Sequence, residues 1–550
     1  MNQHTDTNTK GLAKWLVLFV LCAAQVGTSG DNSIIGIAAA ELVNTFGASM
    51  SDVQMANATY SLMTGAFMIA GGLMGMVFGW VRCFRLGLIL LITAEIVGAF
   101  APTIEVFIWG ARVLAGIGAS LSIPAVLGII AGTYKGKDQA IAFGGVAAAS
   151  GIASAVMPVL AALLIDNFGL SAAMLAIAVY FVGVLAASFK LKELAKPERT
   201  PRIDGIGILL CAIGLVLFIV GALKVPELGV WQPITDANIL GISPAPLMII
   251  LGIVVLCGFY VWEGKVEDTY GNCLLPRAII TNKQVIAGLM IGGAFWIGFA
   301  SPAVIIIPHM QIAGSASALS ASVIGIALAV GTVITSIIVP AKFSSLKVRT
   351  ASYLGLGLAS VAALLFALSF STTGINMAIA ALAATVLGVG CGLMATQCSI
   401  IVTDALDEAN AQQSGGIQAA ARNVGYAIGI AFMGVVMLLT MSSSFKSSVE
   451  NSATISATTK QEIAQLPSIG FLGDTAFLAS MSETSVLKQD IEELTKVNQE
   501  TRLTASQSGM YSVAFSFILL AWFIRYLPHR SLMVAKSEPR KEDELEQAKA

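Results

Sequence analysis

Charged residues are scarce in this chain of 550 residues. Lys, Arg, Asp and Glu make up only 11% of it, whereas 56% of the residues are hydrophobic. A soluble protein usually has about 25% charged residues, and 11% supplies too little polar surface to cover a soluble core of this size. The scarcity of charge therefore argues against a large soluble helical protein. The net charge of −1 points to no particular partner, and we expect no nucleic-acid partner.

Cysteine and histidine are also few, with seven and three residues. Most of the cysteines lie inside apolar runs, and none shows a Cys-x-x-Cys or Cys/His spacing that would hold a metal. The histidines His4, His309 and His529 are too scattered to suggest one site. We predict that the cysteines are buried small apolar residues and that the protein holds no metal.

Nucleotide-binding and hydrolytic signatures are missing as well. The chain has no Gly-x4-Gly-Lys-Ser/Thr loop of the kind that cradles nucleotide phosphates, which argues against a pump driven by its own ATP hydrolysis. It also has no His-Glu-x-x-His motif and no recognisable Ser/His/Asp arrangement. We therefore predict that the protein is not an enzyme and that it needs no cofactor.

Long apolar runs are what the chain does contain. A run of about 20 apolar residues matches the roughly 30 Å hydrocarbon core of a bilayer. Each run should be a helix, because a lone strand leaves its backbone groups unpaired in lipid. The first run is too long for the apolar part of a cleaved signal peptide. The pattern predicts fourteen spans, at 15–40, 54–79, 86–101, 105–131, 139–165, 170–188, 205–223, 246–262, 284–308, 318–340, 351–370, 376–401, 412–440 and 510–527.

The distribution of Lys and Arg predicts the orientation of these spans, because cytoplasmic loops carry an excess of basic residues. The loops after even-numbered spans are the basic ones, and they include Arg82, Arg85, Lys135, Lys137, Lys190, Lys192, Arg277, Lys283, Lys342 and Lys347. Both termini, 1–14 and 528–550, are therefore expected in the cytoplasm. The expected location is the cell inner (plasma) membrane.

Breaks in composition divide the predicted spans into groups. The charged linker 189–204 ends a first bundle of six spans at 15–188. A pair of spans at 205–262 precedes a second bundle of six at 284–527. Transporters often contain such repeats. The fold class predicted from the sequence is an all-α membrane protein with fourteen helices arranged as six, two and six.

One loop, 441–509, is much longer than the others and is predicted to lie outside the cell. Its lysines do not conflict with the charge rule, because long loops are translocated regardless of charge. Within it, Leu487, Ile491, Leu494 and Val497 recur at helical spacing. We expect a hairpin or a helix-containing cap over the mouth of the bundle, with a partly disordered loop as the alternative.

Ionisable residues inside the spans are few, and each is informative because burial in lipid costs several kcal/mol. They include Asp31, Arg112 and Arg422. At about 1.5 Å per residue, Asp31 lies roughly 24 Å from the inner end of span one, and Arg112 lies about 10 Å below the outer surface on span four. Their depths agree, so the two side chains can pair. A protonatable acid beside a permanent cation can couple proton and substrate binding; a static ion pair that pins two helices is the alternative.

Other candidates carry weaker signals. Glu95 in span three faces either an aqueous cavity or a neighbouring helix. Met63, Phe67, Trp296 and Tyr426 are candidates for the lining of a hydrophobic cavity, or they face lipid and other helices.

Span five joins small residues, including Gly151, to a helix-bending proline, Pro158. These positions serve either rocking motions or close packing of helices.

Four segments together resemble the major facilitator superfamily, in its fourteen-span drug:proton antiporter branch. They are GDNSIIGIAAAELVNTFGAS in span one, WGARVLAGIGAS in span four, DGIGILLCAIGLVLF with VWE in the inserted pair, and SGGIQAAARNVGYAIGIA in the penultimate span. The resemblance covers about residues 12–530. It implies the major facilitator fold, with Asp31 as the family's span-one acid and Arg112 as its buried arginine of proton transfer. Gly116 and Gly118 match the glycines that follow that arginine.

Two motifs depart from the family pattern. The loop after span two keeps Arg82 and Arg85, but an uncharged residue near Gly75 stands where the family has an aspartate. The antiporter motif of span five keeps Pro158, whereas the glycines that normally follow it are replaced by Val159, Leu160 and alanines. Both departures concern the motifs that accompany gating in the family.

The resemblance implies proton-coupled export of amphiphilic or cationic toxic compounds, with the proton gradient as energy source. Because acids within the spans are sparse, polyvalent cations are less expected than monovalent cations, neutral compounds or lipophilic anions. The expected partners are the substrate, protons and membrane lipids, and a periplasmic adaptor is a further candidate. The alternatives are a dedicated exporter or importer of one metabolite, such as a fatty acid or siderophore, and a non-transporting membrane receptor.

Overall fold

The computed structural model describes residues 15–31, 38–46, 50–194, 204–229, 231, 233, 238–271, 273–314, 316, 318–406, 408–466, 469–482 and 490–532. Both predicted cytoplasmic ends, 1–14 and most of 528–550, therefore lie outside the described residues, as does the stretch 195–203 of the predicted linker.

The first part of the chain folds into six helices. They are α1 (Trp15–Asp31), α2 (Ala39–Phe46), α3 (Met50–Phe78), α4 (Trp80–Ala99), α5 (Val113–Thr133) and α6 (Gly136–Ser188). A π-helical segment, Val106–Arg112, leads directly into α5. Gly169 interrupts α6 with a φ of +81°, a conformation that glycine adopts without steric cost. The interruption separates the two spans that the sequence predicts at 139–165 and 170–188.

The described residues from 204 onward form twelve α-helices and one short hairpin. The helices are α7 (Gly205–Leu228), α8 (Pro244–Tyr270), α9 (Arg277–Thr281), α10 (Lys283–Ser301), α11 (Ile307–Ile312), α12 (Ala318–Lys342), α13 (Val348–Ser369), α14 (Met377–Asp404), α15 (Glu408–Asn451), α16 (Ala457–Gln465), α17 (Asp474–Ser482) and α18 (Ile491–Leu520). A π-helical segment, Pro302–Ile306, joins α10 to α11, and a 3-10 segment, Ala521–Tyr526, continues α18. The antiparallel strands β1 (Phe370–Ser371) and β2 (Gly374–Ile375) connect α13 to α14.

Polar residues at the helix ends explain where several spans begin. Asn282 accepts hydrogen bonds from the backbone N–H groups of Gln284 and Val285 at the start of α10. Asn376 and Asp204 cap α14 and α7 in the same way. Such side chains satisfy the N–H groups that the first helical turn leaves unpaired.

Twelve helical stretches in the described residues are long and apolar enough to cross a membrane. Two further apolar helices fall outside this criterion. Helix α1 is shorter than the twelve membrane-crossing stretches. Helix α4 is 20 residues long, but it contains the charged residues Arg82, Arg85 and Glu95. The sequence-based count of fourteen spans therefore exceeds the twelve that length and composition alone support.

The helices form two groups. Helices α3, α4, α5 and α6 pack together in the first, and α10, α12, α13, α14, α15 and α18 pack together in the second. Helix α1 joins the first group, where its Ala23 carbonyl accepts a hydrogen bond of 2.7 Å from the Tyr180 hydroxyl of α6. The groups meet where α15 packs on α3 and α5, and where α6 packs on α12 and α14.

The helix pair α7 and α8 lies beside both groups. Helix α7 packs on α8 and also contacts α3 of the first group and α15 of the second. A hydrogen bond joins α8 to the start of α7: the indole N–H of Trp262 donates to Asp204 over 2.6 Å. Side chains of α8 such as Ile250, Val254 and Val261 are exposed, as expected for a helix that faces lipid.

Close backbone approach holds the two groups together near the linker. A Cβ atom added at Gly72 of α3 would lie 2.8 Å from the Cα of Gly416 on α15. Glycine is therefore required for this contact, because no side-chain atom fits between the two backbones.

The described part of 441–509 is helical and has its own apolar core. Phe445 of α15 packs on Phe477 of α17 with 5.7 Å between ring centroids, and Leu494 and Val497 of α18 belong to the same cluster. The buried Arg502 donates to Asp474 over 2.7 Å. The described part of the segment therefore contains helices, and whether it caps the mouth of the bundle stays a prediction; Leu487 lies outside the described residues.

Candidate functional site

A buried ion pair joins the first and fourth predicted spans. Arg112 Nη1 donates to Asp31 Oδ1 over 2.7 Å, and the two side chains are 0% and 1% exposed. The agreement in depth that the sequence suggests thus corresponds to direct contact. A buried pair is costly to break, because removing one partner leaves the other charge uncompensated.

Local geometry brings Arg112 to this position. It ends the π-helical segment Val106–Arg112, and such wider turns are frequent at functional sites. One turn further along, Gly116 lets α5 approach α3, because an added Cβ would lie 2.6 Å from the Met63 Cβ and 2.8 Å from the Tyr60 carbonyl oxygen. Gly118 plays the same part toward α4, where the Gly87 carbonyl oxygen lies 2.9 Å from the position of a Cβ.

A second carboxyl group lies beside the pair. Glu95 of α4 is 0% exposed, and its charged neighbours in the described chain are Asp31 and Arg112. Among the described residues no N–H or hydroxyl donor reaches either Glu95 oxygen, and the polar group beside it is the Asp31 carboxyl. Asp31 Oδ2 and Arg112 Nε and Nη2 also have no hydrogen bond to a described residue. We call Asp31, Glu95 and Arg112 the charged cluster. Glu95 therefore belongs to this cluster and not to the lining of the cavity described below.

The two groups of helices enclose a cavity of about 220 Å³, which we call the central cavity. Helix α1 contributes Gln25, Thr28 and Ser29, and α3 contributes Tyr60, Ser61, Thr64 and Met68. Helices α10 and α15 supply the facing wall with Trp296, Phe299, Ala419, Arg422, Asn423 and Tyr426. Pockets for small molecules are typically concave and combine apolar surface with polar groups that orient the ligand, and this lining contains both.

Aromatic side chains form one face of the cavity. Trp296 packs against Phe299 and Tyr426, with ring centroids 5.6 Å and 6.4 Å apart. The sequence names Trp296 and Tyr426 as cavity candidates, and both line it. Met63 instead faces Gly116, and Phe67 is not part of the lining.

Tyr60 belongs both to the cavity wall and to the surroundings of the charged cluster. Its ring centroid lies 4.9 Å from Cζ of Arg112, and its hydroxyl donates to the Thr28 carbonyl over 2.9 Å. Because Thr28 also lines the cavity, a molecule in the cavity contacts the residues that support the ion pair.

Arg422 is a cavity residue to which the sequence analysis assigned no role. Its Nη2 donates to the Ser399 hydroxyl of α14 over 3.1 Å. The available signal was the presence of a charge within an apolar helix. Asn423 and Tyr426 follow at spacings that share one helical face with it, which is why all three reach the cavity.

The remaining motif residues lie away from the cavity. Arg85 donates through Nη2 to the carbonyls of Ser188 and Leu191 over 2.9 Å and 3.1 Å. The exposed Arg82 contributes its backbone N–H to Glu193 over 3.1 Å.

On α6, a Cβ added at Gly151 would lie 3.6–3.7 Å from Thr332 and Ala329 of the second helix group, an ordinary contact distance. Pro158 stands inside the same helix.

Glu193 was not singled out from the sequence. Its carboxylate accepts from the backbone N–H groups of Val81 and Arg82, at the first turn of α4. A negative charge there is favourable, because the N-terminus of a helix carries a partial positive charge. This contact lies on the loop whose family aspartate is missing near Gly75.

No group of three or more His, Cys, Asp or Glu side chains in the described ranges is arranged to hold a metal ion.

Comparisons with known proteins agree with this architecture. A sequence model of the Major Facilitator Superfamily matches residues 21–430. The chain is 25% identical over 452 residues to the probable actinorhodin transporter of Streptomyces coelicolor, covering 80% of this chain and 75% of that protein. It is 25% identical over 456 residues to the tetracenomycin C resistance and export protein of Streptomyces glaucescens, covering 79% and 78%.

The methylenomycin A resistance protein of Bacillus subtilis is 23% identical over 437 residues, which is 79% of this chain and 89% of that protein. Among solved structures, a human organic anion transporter aligns with a TM-score of 0.57 at 10% identity, covering 93% of this chain and 99% of that one. A proton:xylose symporter aligns with a TM-score of 0.55 at 12% identity, covering 96% and 98%. At these identities the structural likeness establishes the fold. The chain is a multi-pass membrane transporter that belongs to the Major Facilitator Superfamily.

Proposed function

We propose that this protein is a proton-coupled exporter of amphiphilic toxic compounds, in the fourteen-span drug:proton antiporter branch of the superfamily. The observation that carries the proposal is the buried Asp31–Arg112 pair beside the central cavity. The relatives named for antibiotic resistance or export support a cytotoxic substrate that leaves the cell.

Proton binding and substrate binding are coupled because the proton and the Arg112 guanidinium compete for the Asp31 carboxylate. When Asp31 is ionised, its charge is neutralised by Arg112 at 2.7 Å. A proton on Asp31 removes that attraction, so the Arg112 guanidinium must be neutralised by another group, because an isolated charge is costly in this medium. Movement of α1 relative to α5 relieves this cost, and α1 forms part of the cavity wall. Protonation of Asp31 thereby alters the substrate site, because the same helix lines the cavity with Gln25, Thr28 and Ser29.

The fourteen-span arrangement follows if α1 and α4 cross the membrane together with the twelve apolar stretches. Both helices are packed within the first group. Two charged side chains of α4 are accommodated by neighbouring groups. Arg85 is held by backbone carbonyls near the linker, and Glu95 is enclosed in the charged cluster. In this arrangement α7 and α8 are the inserted pair, both termini are cytoplasmic, and 441–509 lies outside an inner membrane.

Growth of an efflux-deficient bacterial host tests the proposed function. Cells expressing the wild-type chain should tolerate higher concentrations of several amphiphilic compounds than cells with an empty vector. Asp31→Asn should abolish the protection, whereas Glu450→Gln, an exposed acid outside the cavity, should leave it unchanged. Equal sensitivity of wild-type and empty-vector cells to every compound would contradict export.

A further inference from the structure

The described lining of the central cavity carries positive charge and no negative charge. Among its described lining residues, Arg422 is the only formally charged side chain, and no Asp or Glu is present. The buried acids Asp31 and Glu95 belong instead to the charged cluster around Arg112. A cation in the cavity would therefore meet a like charge without a carboxylate among the described lining residues to offset it, and like charges repel.

Arg422 itself has unused binding capacity. A guanidinium has five N–H donors, and the described neighbours that accept from it are two uncharged groups, the Ser399 hydroxyl and the Cys398 thiol. No carboxylate of the described residues forms an ion pair with it. A partly buried cation that lacks a counter-charge is stabilised by an anion, and planar carboxylates and similar groups fit a guanidinium best.

A second donor lies on the aromatic face. The indole Nε1–H of Trp296 is buried and has no acceptor among the described residues. Trp296, Phe299 and Tyr426 present their rings on the same side of the cavity. Flat aromatic bodies pack favourably on such rings.

Resting on the proposed export function, we propose that the central cavity takes aromatic compounds that carry an anionic oxygen group, and that Arg422 binds this group. The aromatic body packs against Trp296 and Tyr426. Monovalent or polyvalent cations are then poor substrates, which narrows the wider class that the sequence left open.

Three pyrene probes that share a four-carbon chain and differ in the charge of its end group test this substrate class: 1-pyrenebutyrate, neutral 4-(1-pyrenyl)butanol and cationic 4-(1-pyrenyl)butylammonium. Their affinities for the purified full-length protein are measured by energy transfer from tryptophan to pyrene, with Trp296→Phe reporting whether the probe sits in the cavity. The butyrate should bind most tightly. Arg422→Gln should weaken its binding about 10- to 100-fold, as expected for losing a charge-assisted hydrogen bond, and Arg422→Lys should weaken it less.

Lys342→Gln is the matched control, because it removes an exposed positive charge of the same helix group away from the cavity. The proposal is overturned if the ammonium probe binds as tightly as the butyrate, if the butyrate does not bind, or if Arg422→Gln leaves its affinity unchanged. Binding that depends on Arg422 without any proton-driven transport would instead contradict the proposed export function alone.

A separate observation concerns the charged cluster. It contains two carboxyl groups and one guanidinium, and Asp31 already neutralises Arg112. An ionised Glu95 would be an uncompensated negative charge in a fully buried position whose two oxygens have no hydrogen-bond donor in the described chain. Such burial costs several kcal/mol, and a carboxyl avoids it by taking up a proton.

The groups around Glu95 are few. Asp31 approaches it from α1 and Arg112 from the start of α5, and Tyr60 of α3 lies on the far side of the guanidinium. Arg112 keeps Nε and Nη2 without partners, so it can turn from one carboxylate to the other. We infer that Glu95 holds the exchangeable proton in this state, and that Asp31 and Glu95 alternate as the partner of Arg112.

Infrared spectroscopy of the purified protein at neutral pH tests this inference, because a protonated carboxyl has a C=O stretch that a carboxylate lacks. The measurement uses a Glu263→Gln background, because Glu263 of α8 is a second buried acid whose protonated form would give a band of its own. In that background the band should be present with Glu95 intact and absent after Glu95→Gln. Absence of the band with Glu95 intact, or its loss in Asp31→Asn with retention in Glu95→Gln, would overturn the assignment. The band does not depend on transport, so this result is independent of the export assay.

Discussion

The ring of Tyr60 stands over the guanidinium of Arg112, with 4.9 Å between the ring centroid and Cζ. The same side chain lines the central cavity. One residue therefore touches both the ion pair and the space where the substrate is proposed to bind. Tyr60 thus connects the ion pair, where the proton is proposed to act, with the proposed substrate site.

Substitutions at Tyr60 separate its two contacts. Tyr60→Phe removes the hydrogen bond to the Thr28 carbonyl and should cost about 1 kcal/mol of stability. Tyr60→Leu also removes the ring over Arg112, a further loss of about 0.5–2 kcal/mol, and should reduce proton-driven transport more strongly. Thermal unfolding in detergent and transport rates in proteoliposomes measure both effects. Equal transport by the two variants would show that the ring plays no part in coupling.

Close contact between Gly72 and Gly416 should govern how tightly the two helix groups meet near the linker. A Cβ at position 416 would lie 3.0 Å from the Gly72 Cα and 3.2 Å from the Met68 carbonyl oxygen. Backbone cannot yield as a side chain does, so Gly416→Ala should push the two helix groups apart at this end.

The distance between spin labels at Lys190→Cys and Lys347→Cys measures this separation, in a background where the exposed Cys257 is replaced by Ser. Gly416→Ala should broaden the distribution toward longer distances. Gly357→Ala is the control, because an added Cβ at position 357 meets nothing within 4 Å. Identical distributions for the two variants would be incompatible with a closure formed by these glycines.

Glu193 should stabilise the start of α4 in place of the missing loop aspartate. Its carboxylate accepts from two N–H groups of the first turn, and loss of such a cap typically costs about 1 kcal/mol. Glu193→Ala should therefore lower the unfolding temperature and increase amide hydrogen exchange at Val81 and Arg82. Lys192→Ala, at the neighbouring exposed position, should change neither. No increase in exchange at those two amides would refute the capping role.

Much of the helical architecture could be predicted from the apolar runs, because their length is set by the bilayer. The pairing of Asp31 with Arg112 could also be predicted, since helical rise fixes depth. The rotation of each helix about its own axis, which decides where each side chain points, could not be predicted. For that reason the sequence left Glu95 between two environments and named Met63 and Phe67 as cavity candidates, although the structure places none of the three in the lining.

Long-range contacts were the other part that the sequence could not supply. Glu193 caps a helix that begins more than a hundred residues earlier, and no local pattern indicates such a contact. Arg422 was visible as a charge in an apolar helix, but its direction depends on how α15 packs against α10 and α14. The charge pattern of the cavity, which decides what binds there, emerges only when the two helix groups are assembled.

Proton-driven transport in proteoliposomes tests the central claim most directly. Purified protein is reconstituted, a pH gradient is imposed, and movement of 1-pyrenebutyrate is followed for the wild type and for Asp31→Asn. The account predicts that the gradient drives accumulation by the wild type and that Asp31→Asn abolishes this accumulation while the variant still binds the probe. Gradient-driven transport by Asp31→Asn at the wild-type rate would contradict it.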